Sequence, residues 1–233
     1  MHFDYFAEIL FSDVVRLKIP GLKIGVLAGQ NVTIRKKSAT VDSEIKSLYK
    51  FIHDKFLSSP PSSDAVVSSV RRMYRRIGWE PTRYRPSSEA MIRRILKNTG
   101  LYNINNLVDL GNIVSTRFHL PLGLYDHSKI NGTITIDVGK SEEFYEGLSI
   151  LKIHAAGKLI LRDLSGIFGN PTADSRRTCI ANDTKNILAI FFTPPEISDS
   201  YIKDTLSYMA RLYKTECPKS SIHSVILTAQ NPV

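Results

Sequence analysis

The chain has 233 residues, 42% of them hydrophobic, enough to bury a substantial core as one large domain or two small ones. A formal net charge of +9 with a pI near 9.5 favours a polyanionic partner. No apolar run approaches membrane-spanning length, and the opening Met1-His2-Phe3-Asp4-Tyr5-Phe6-Ala7-Glu8 has no basic stretch, so neither a transmembrane helix nor a secretory signal is expected.

In chain order, Val14 to Arg35 reads as β-rich, carried by Val15, Leu17 and Ile19 and then by Ile24, Val26 and Leu27. Ser43 to Leu57 has a helical period at Ile45, Leu48, Tyr49, Ile52 and Phe56. The run Ser58-Ser59-Pro60-Pro61-Ser62-Ser63 is a loop. Asp64 is placed to cap a helix whose stripe is Val66, Val70, Met73 or Tyr74, and Ile77, with Gly78 as its stop. A further helix, capped by Ser87 or Ser88, runs through Met91, Ile92, Ile95 and Leu96 to Gly100. Another covers Ile104 to Phe118.

From Gly132 onward the pattern turns to strands: Thr133 to Val138, Ile150 to Ala155, Lys158 to Asp163 and Asn186 to Phe192. Ala156-Gly157 suits a hairpin between the second and third of these. Asp199 to Tyr213 is amphipathic and helical, and Ile222 to Thr228 is a last strand. Helices and strands are partly segregated, so the expected class is α+β, mixed or antiparallel sheets packed with helices, in one domain over residues 1–233.

Three features carry chemistry. Asn105-Asn106-Leu107-Val108-Asp109-Leu110-Gly111-Asn112 opens an otherwise apolar helix with amides and a carboxylate, which an apolar core has no use for unless each is paired. The run from Asp163 to Thr178 follows a strand and holds Gly166, Gly169 and Asn170, with Asp174, Arg176 and Arg177 beyond. Its glycines would let backbone N–H groups approach a carbonyl or an oxyanion, although an ordinary turn with aspartate caps has the same composition. Third, Arg71, Arg72, Arg75 and Arg76 form like-charged rows on one helix, Arg83 and Arg85 flank Tyr84, and Arg93 and Arg94 follow on the next helix. Phosphates would relieve such rows, and so would internal carboxylates such as Glu80 and Glu89. Zinc, nucleotide-loop and nucleophile-elbow signatures are missing, and the six histidines show no ligand spacing. No metal or cofactor is therefore expected. Cys179 and Cys217 match no metal spacing; a disulfide between them is one alternative, and two buried thiols in a soluble, cytoplasmic protein are expected.

Ile104-Asn105-Asn106-Leu107-Val108-Asp109, Asn112-Ile113-Val114, Pro121-Leu122-Gly123-Leu124-Tyr125-Asp126, Ile130-Asn131-Gly132 and Ser165-Gly166-Ile167-Phe168-Gly169 appear in that order. With Asp183-Thr184-Lys185-Asn186-Ile187-Leu188 they resemble the editing ("B-three/B-four", tRNA-binding) domain of the phenylalanyl-tRNA synthetase β subunit. Arg85-Pro86-Ser87-Ser88-Glu89-Ala90 and Asp174-Ser175-Arg176-Arg177-Thr178 look more like its free-standing relatives. The resemblance covers roughly residues 70–197. It implies a pocket between the helix bearing Asn105 or Asn106 and the backbone around Gly166 and Gly169, and hydrolysis of a mischarged aminoacyl ester on tRNA. Where the synthetase domain has a histidine after the proline, this chain has Gly123, and near that domain's glutamate it has Pro171.

On this reading Asn106, Asp126 and Asp174 are the candidate catalytic residues, with Asp174 or Asp126 as base. Asn105, Asn106, Gly123, Tyr125, Gly166, Gly169, Asn170 and Arg177 would line the substrate site. Arg72, Arg75, Arg76, Arg83, Arg85, Arg93 and Arg94 would meet the acceptor end of the tRNA. A non-catalytic RNA-binding module and an amino-acid-binding protein are the alternatives.

Overall fold

A computed structural model describes residues 6–230; the opening read for a secretory signal lies mostly outside the described residues. Strand β1 (Ile9–Phe11) leads into helix α1 (Asp13–Lys18), where a strand was expected. Ser12 accepts a hydrogen bond from the Val15 N–H and starts a helical turn, so the cap overrides the β-branched residues, and Leu17 points outward, 70% exposed. Next come β2 (Lys23–Gln30) and α2 (Ala39–Lys55), the latter capped by Ser38 and so begun earlier than its apolar period indicates. Helix α3 (Ala65–Arg76) carries the expected Asp64 cap, whose carboxylate accepts from the Val66 and Val67 N–H groups. Helix α4 (Ser87–Leu96) has no side-chain cap; the Ser88 hydroxyl donates instead to the His119 carbonyl. Helix α5 (Asn106–Phe118) follows.

The remaining elements are β3 (Leu122–Asp126), β4 (Ile134–Val138), β5 (Phe144–Tyr145), β6 (Ile153–His154), β7 (Leu159–Asp163), β8 (Gly166–Asn170), β9 (Ala173–Asp174), β10 (Asn186–Thr193), α6 (Asp199–Glu216) and β11 (Ser221–Thr228). Two sheets organise the fold, one of order β1-β4-β7-β8-β9 and one of order β11-β2-β10-β3. Only β1 and β4 pair in parallel among the named strands. The class is α+β with mixed and antiparallel sheets, as expected. Helix α6 lies against β2 and β11, and α5 packs on β3, α2, α4 and α6, so the helices cover the second sheet. The core is continuous from Val15 to Ala229 through Ile24, Leu110, Phe168, Phe191 and Met209.

Two expectations fail. The hairpin across Ala156-Gly157 does not form, because β6 pairs with β5 while β7 pairs with β4 and β8. The glycine-rich run is not a loop. Gly166, with φ +112°, turns the chain out of β7, and residues 166–170 then form β8 between β7 and β9. The two sheets meet where the outer edge of β3 faces the chain after β9: the Asp126 N–H donates to the Thr178 carbonyl at 2.8 Å.

Candidate functional site

That seam is built around one aromatic ring. Tyr125 is fully buried, edge-on to Phe168 at 4.9 Å between centroids. Its hydroxyl passes between two glycines, since a Cβ on Gly123 would lie 2.0 Å from the oxygen and one on Gly169 2.3 Å from it. Gly169 in turn pairs with Asp174 across β8 and β9. The glycines of the two motifs therefore make room for a phenol. They do not bare backbone donors, because β8 is paired on both sides.

Asp174 is the chemically unusual residue of this seam. Its Oδ2 accepts a 3.4 Å hydrogen bond from the Leu124 N–H, while its Oδ1 and the nearby Tyr125 hydroxyl are both shut off from solvent. Burial pushes the Asp174 carboxyl up to about 7, with opposing contributions from Tyr125 and the Leu124 N–H too small to prevent it. Burial, reinforced by the Asp174 charge, raises Tyr125 well above the ordinary phenol value. Asp174 faces a hollow of about 180 Å³ whose other walls are largely apolar: Ile104, Val108, Leu122, Leu124, Leu148 and Ile180, with Asn112 and Cys179. The Asp126 and Leu124 N–H groups both point out of the sheet edge, so the alternation of the strand turns the Leu122 N–H and carbonyl the same way. An acid near neutrality, a strand edge and an apolar wall thus share one space.

The other expected residues sit elsewhere or are committed. Asn105 caps α5, accepting from the Val108 N–H at 3.0 Å. Asn106 is 1% exposed and ties α5 to the chain after β2, its Nδ2 donating to the Thr33 carbonyl and its Oδ1 accepting from the Arg35 N–H. Both amides are thus used locally, and α5 presents Val108 and Asn112 to the acid instead. Asn106 faces a different, more polar hollow of about 440 Å³ between the start of α2 and residues 101–103. Asp126 accepts from the Ser128 N–H and hydroxyl and from the Thr184 hydroxyl, bonds that hold its carboxyl below the ordinary value although burial acts the other way. Gly166 is a turn residue with open space beside it. Asn170 folds back on the Thr172 and Ala173 N–H groups and donates to the Tyr145 hydroxyl. Arg177 makes a two-pronged ion pair with Asp163 at 2.8 and 3.0 Å and braces the β7–β8 turn.

The arginines divide in the same way. Glu89, fully buried, gathers Arg71 and Arg93 at 2.9 Å and Arg85 at 3.7 Å, which is the internal-carboxylate alternative for those three. Arg76 pairs with Glu196, and Arg94 donates to the Gly100 carbonyl while lying 4.1 Å from the Tyr102 ring centroid. Arg72 is exposed on Ser68 and Ser69, Arg75 is exposed, and Arg83 lies over Tyr84.

With this geometry in view, a family model described as the B3/4 domain matches residues 69–212. The chain belongs to that family. A relative of this B3/4 chain is the uncharacterized protein YhzB of Bacillus subtilis, 19% identical over 207 residues that cover 89% of this chain and 93% of that protein. The phenylalanine–tRNA ligase β subunit of Fusobacterium nucleatum is 32% identical over 111 residues, 44% of this chain but only 13% of that subunit. Among solved structures, an N-terminal fragment of the Pyrococcus horikoshii phenylalanyl-tRNA synthetase β subunit aligns with TM-score 0.47 and 12% identity, covering 96% of this chain and 56% of that one.

Within this B3/4 chain, sequence reasoning missed Tyr145, whose hydroxyl donates to the Ala173 carbonyl beside Asp174; Asn112, read among the amides of the α5 run but not assigned to the site, is the amide in the hollow with the acid. Tyr145 lies in a two-residue strand that leaves no periodic trace. Asn112 did carry a signal, since it stands four residues after Val108 and thus on the same helix face. Among the described residues no group of three metal-capable side chains converges and no helix is long and apolar enough to cross a membrane; both cysteines are thiols, but only Cys217 is buried, Cys179 being half-buried.

Proposed function

We propose that this chain is a cytoplasmic, trans-acting editing factor that hydrolyses the ester of a mischarged aromatic or similar aminoacyl-tRNA. The observation that carries the reading is the Asp174 carboxyl, raised to about 7 at the wall of an apolar hollow. A group with that affinity is half ionised at neutral pH and can take a proton from water in the transition state. The apolar wall suits a hydrophobic amino-acid side chain. The outward Leu122 backbone can orient the ester, and Asn112 can donate to the carbonyl oxygen as it gains charge. Water then adds to the carbonyl carbon as Asp174 receives its proton, and the departing ribose oxygen takes that proton back when the ester bond breaks. Relatives that include a phenylalanine–tRNA ligase subunit, together with the net positive charge, support tRNA as the partner.

The test is release of amino acid from a panel of mischarged tRNAs. Wild-type protein is expected to deacylate at least one, and Asp174→Asn to slow that reaction by about a hundred-fold or more. No release from any tRNA removes the proposal. One observation favours a non-catalytic RNA-binding module instead: no side chain fits at Gly123, where the synthetase domain carries histidine. That reading predicts tRNA binding lost on charge reversal at Arg72 and Arg75, with every ester left intact.

A further inference from the structure

The two hollows share a wall. Asn103 lines the polar one and Ile104 the apolar one; in the first turn of α5, Asp109 lines the polar one and Val108 the apolar one. The partition is therefore only the chain entering α5 and that helix's first turn, and the two spaces lie about one helix diameter apart, on the order of 10 Å. Their linings differ in kind. The apolar hollow has a single acid, whereas the polar one has Lys36, Lys37, Tyr102 and Asp42 on its walls. Tyr102 is 54% exposed, with the Arg94 guanidinium 4.1 Å from its ring centroid. Lys36 and Lys37 are exposed, and the nearby carboxylate of Glu216 is taken by Arg35 at 3.0 Å and by the Ser38 hydroxyl. Asp109 is turned onto the Ile104 N–H, leaving exposed Asp42 to accept from a hydroxyl.

An aromatic platform, two cations and a carboxylate match the base, phosphates and ribose of a nucleotide, since stacking on an aromatic ring tolerates any base and lysines neutralise phosphates. We infer that the polar hollow receives the unpaired terminal nucleotides of an RNA, Tyr102 stacking a base and Lys36 and Lys37 holding phosphates, so that the residue esterified to the last ribose crosses the Asn103–Ile104 partition to Asp174. The inference rests on the editing reading for the esterified residue. The assignment of the polar hollow to RNA stands on its own lining.

The experiment is fluorescence anisotropy with a short labelled single-stranded RNA at several salt concentrations, run beside the deacylation assay. Tyr102→Ala is expected to weaken binding about ten-fold, while Tyr102→Phe, which keeps the ring, binds as wild type. Lys36→Glu with Lys37→Glu lowers the slope of log affinity against log salt by roughly 1.4, at about 0.7 per phosphate. All three positions are exposed or half-exposed on the surface, so the fold is retained. Unchanged affinity in both variants overturns the assignment, including the case where esters are still cleaved at the wild-type kcat/KM, which leaves the editing proposal standing. Binding that responds to Tyr102 while every ester stays intact supports the polar hollow and removes the editing proposal. Loss of hydrolysis in Asp174→Asn with unchanged RNA affinity supports both.

Discussion

Asp174 couples folding to pH in a direction opposite to most carboxylates. Its raised value of about 7 means that the folded chain keeps this proton between about pH 4 and 7, where the unfolded carboxyl has already lost it. The folded state binds more protons over that window, so its contribution to stability falls as pH rises through it. Relative to wild type, Asp174→Asn should gain up to a few kcal/mol between about pH 4 and 7, read from urea denaturation at a series of pH values. A difference that stays flat with pH would show that the carboxyl is ionised throughout. Deacylation should move the other way, rising with pH to a plateau above about 7 as the base ionises. A second prediction concerns the phenol between the glycines. Gly169→Ala should cost about 1–3 kcal/mol through overpacking, and Tyr125→Phe should return part of that in a double-mutant cycle, because it removes the oxygen that the new Cβ meets at 2.3 Å. Additive effects would contradict this packing. At this scale the sequence pointed to Gly123, Tyr125, Gly169 and Asp174, which do converge at the seam, but it misassigned what the glycines are for. A glycine that frees its own backbone and one that yields space to a neighbour look identical until the partner is known.

Among the elements, α3 and α4 are joined by a charge cluster with no solvent at its centre. Glu89 sits fully buried among Arg71, Arg85 and Arg93, and its removal leaves cationic groups without the anion they fold around. Glu89→Gln, close in shape but neutral, should cost about 3–5 kcal/mol, measured as a drop in the urea midpoint. A shift within about 0.5 kcal/mol would mean that water already screens the arginines. Helix α5 gives a milder case. Asn105→Ala removes only a cap, at about 1 kcal/mol, whereas Asn106→Ala also unties the chain after β2 and should cost more. Most helices were legible because their apolar periods run for three turns or more, as at Ile45 to Phe56. Strands β3, β8 and β9 were not. Each is five residues or fewer and rich in glycine or polar residues; β3 is held by the distant β10, while β8 is joined to β7 and β9 by turns of only two residues. The register that brings Gly169 opposite Asp174 is a tight hairpin, but its second strand has only two residues and so leaves no periodic trace.

For the molecule as a whole, the basic surface and the two adjoining hollows make ionic strength the first variable to control. The affinity for tRNA should fall steeply with salt, and reversal of Arg72 and Arg75 should flatten that dependence by roughly two for a duplex, at about 0.9 per phosphate contact. An unaltered slope would remove those arginines from the interface. The topology has a further consequence. Strand β2 (residues 23–30) lies between β10 (186–193) and β11 (221–228), eight residues deep on each side. During synthesis this strand waits, with both hydrogen-bonding edges bare, until residues 186–228 have left the ribosome. A fragment trimmed to the family-matched stretch 69–212 would lack the central strand and one of its neighbours altogether. Such a fragment should precipitate or be captured by chaperones. The folding unit of this chain therefore reaches beyond the stretch by which the family is recognised, at both ends.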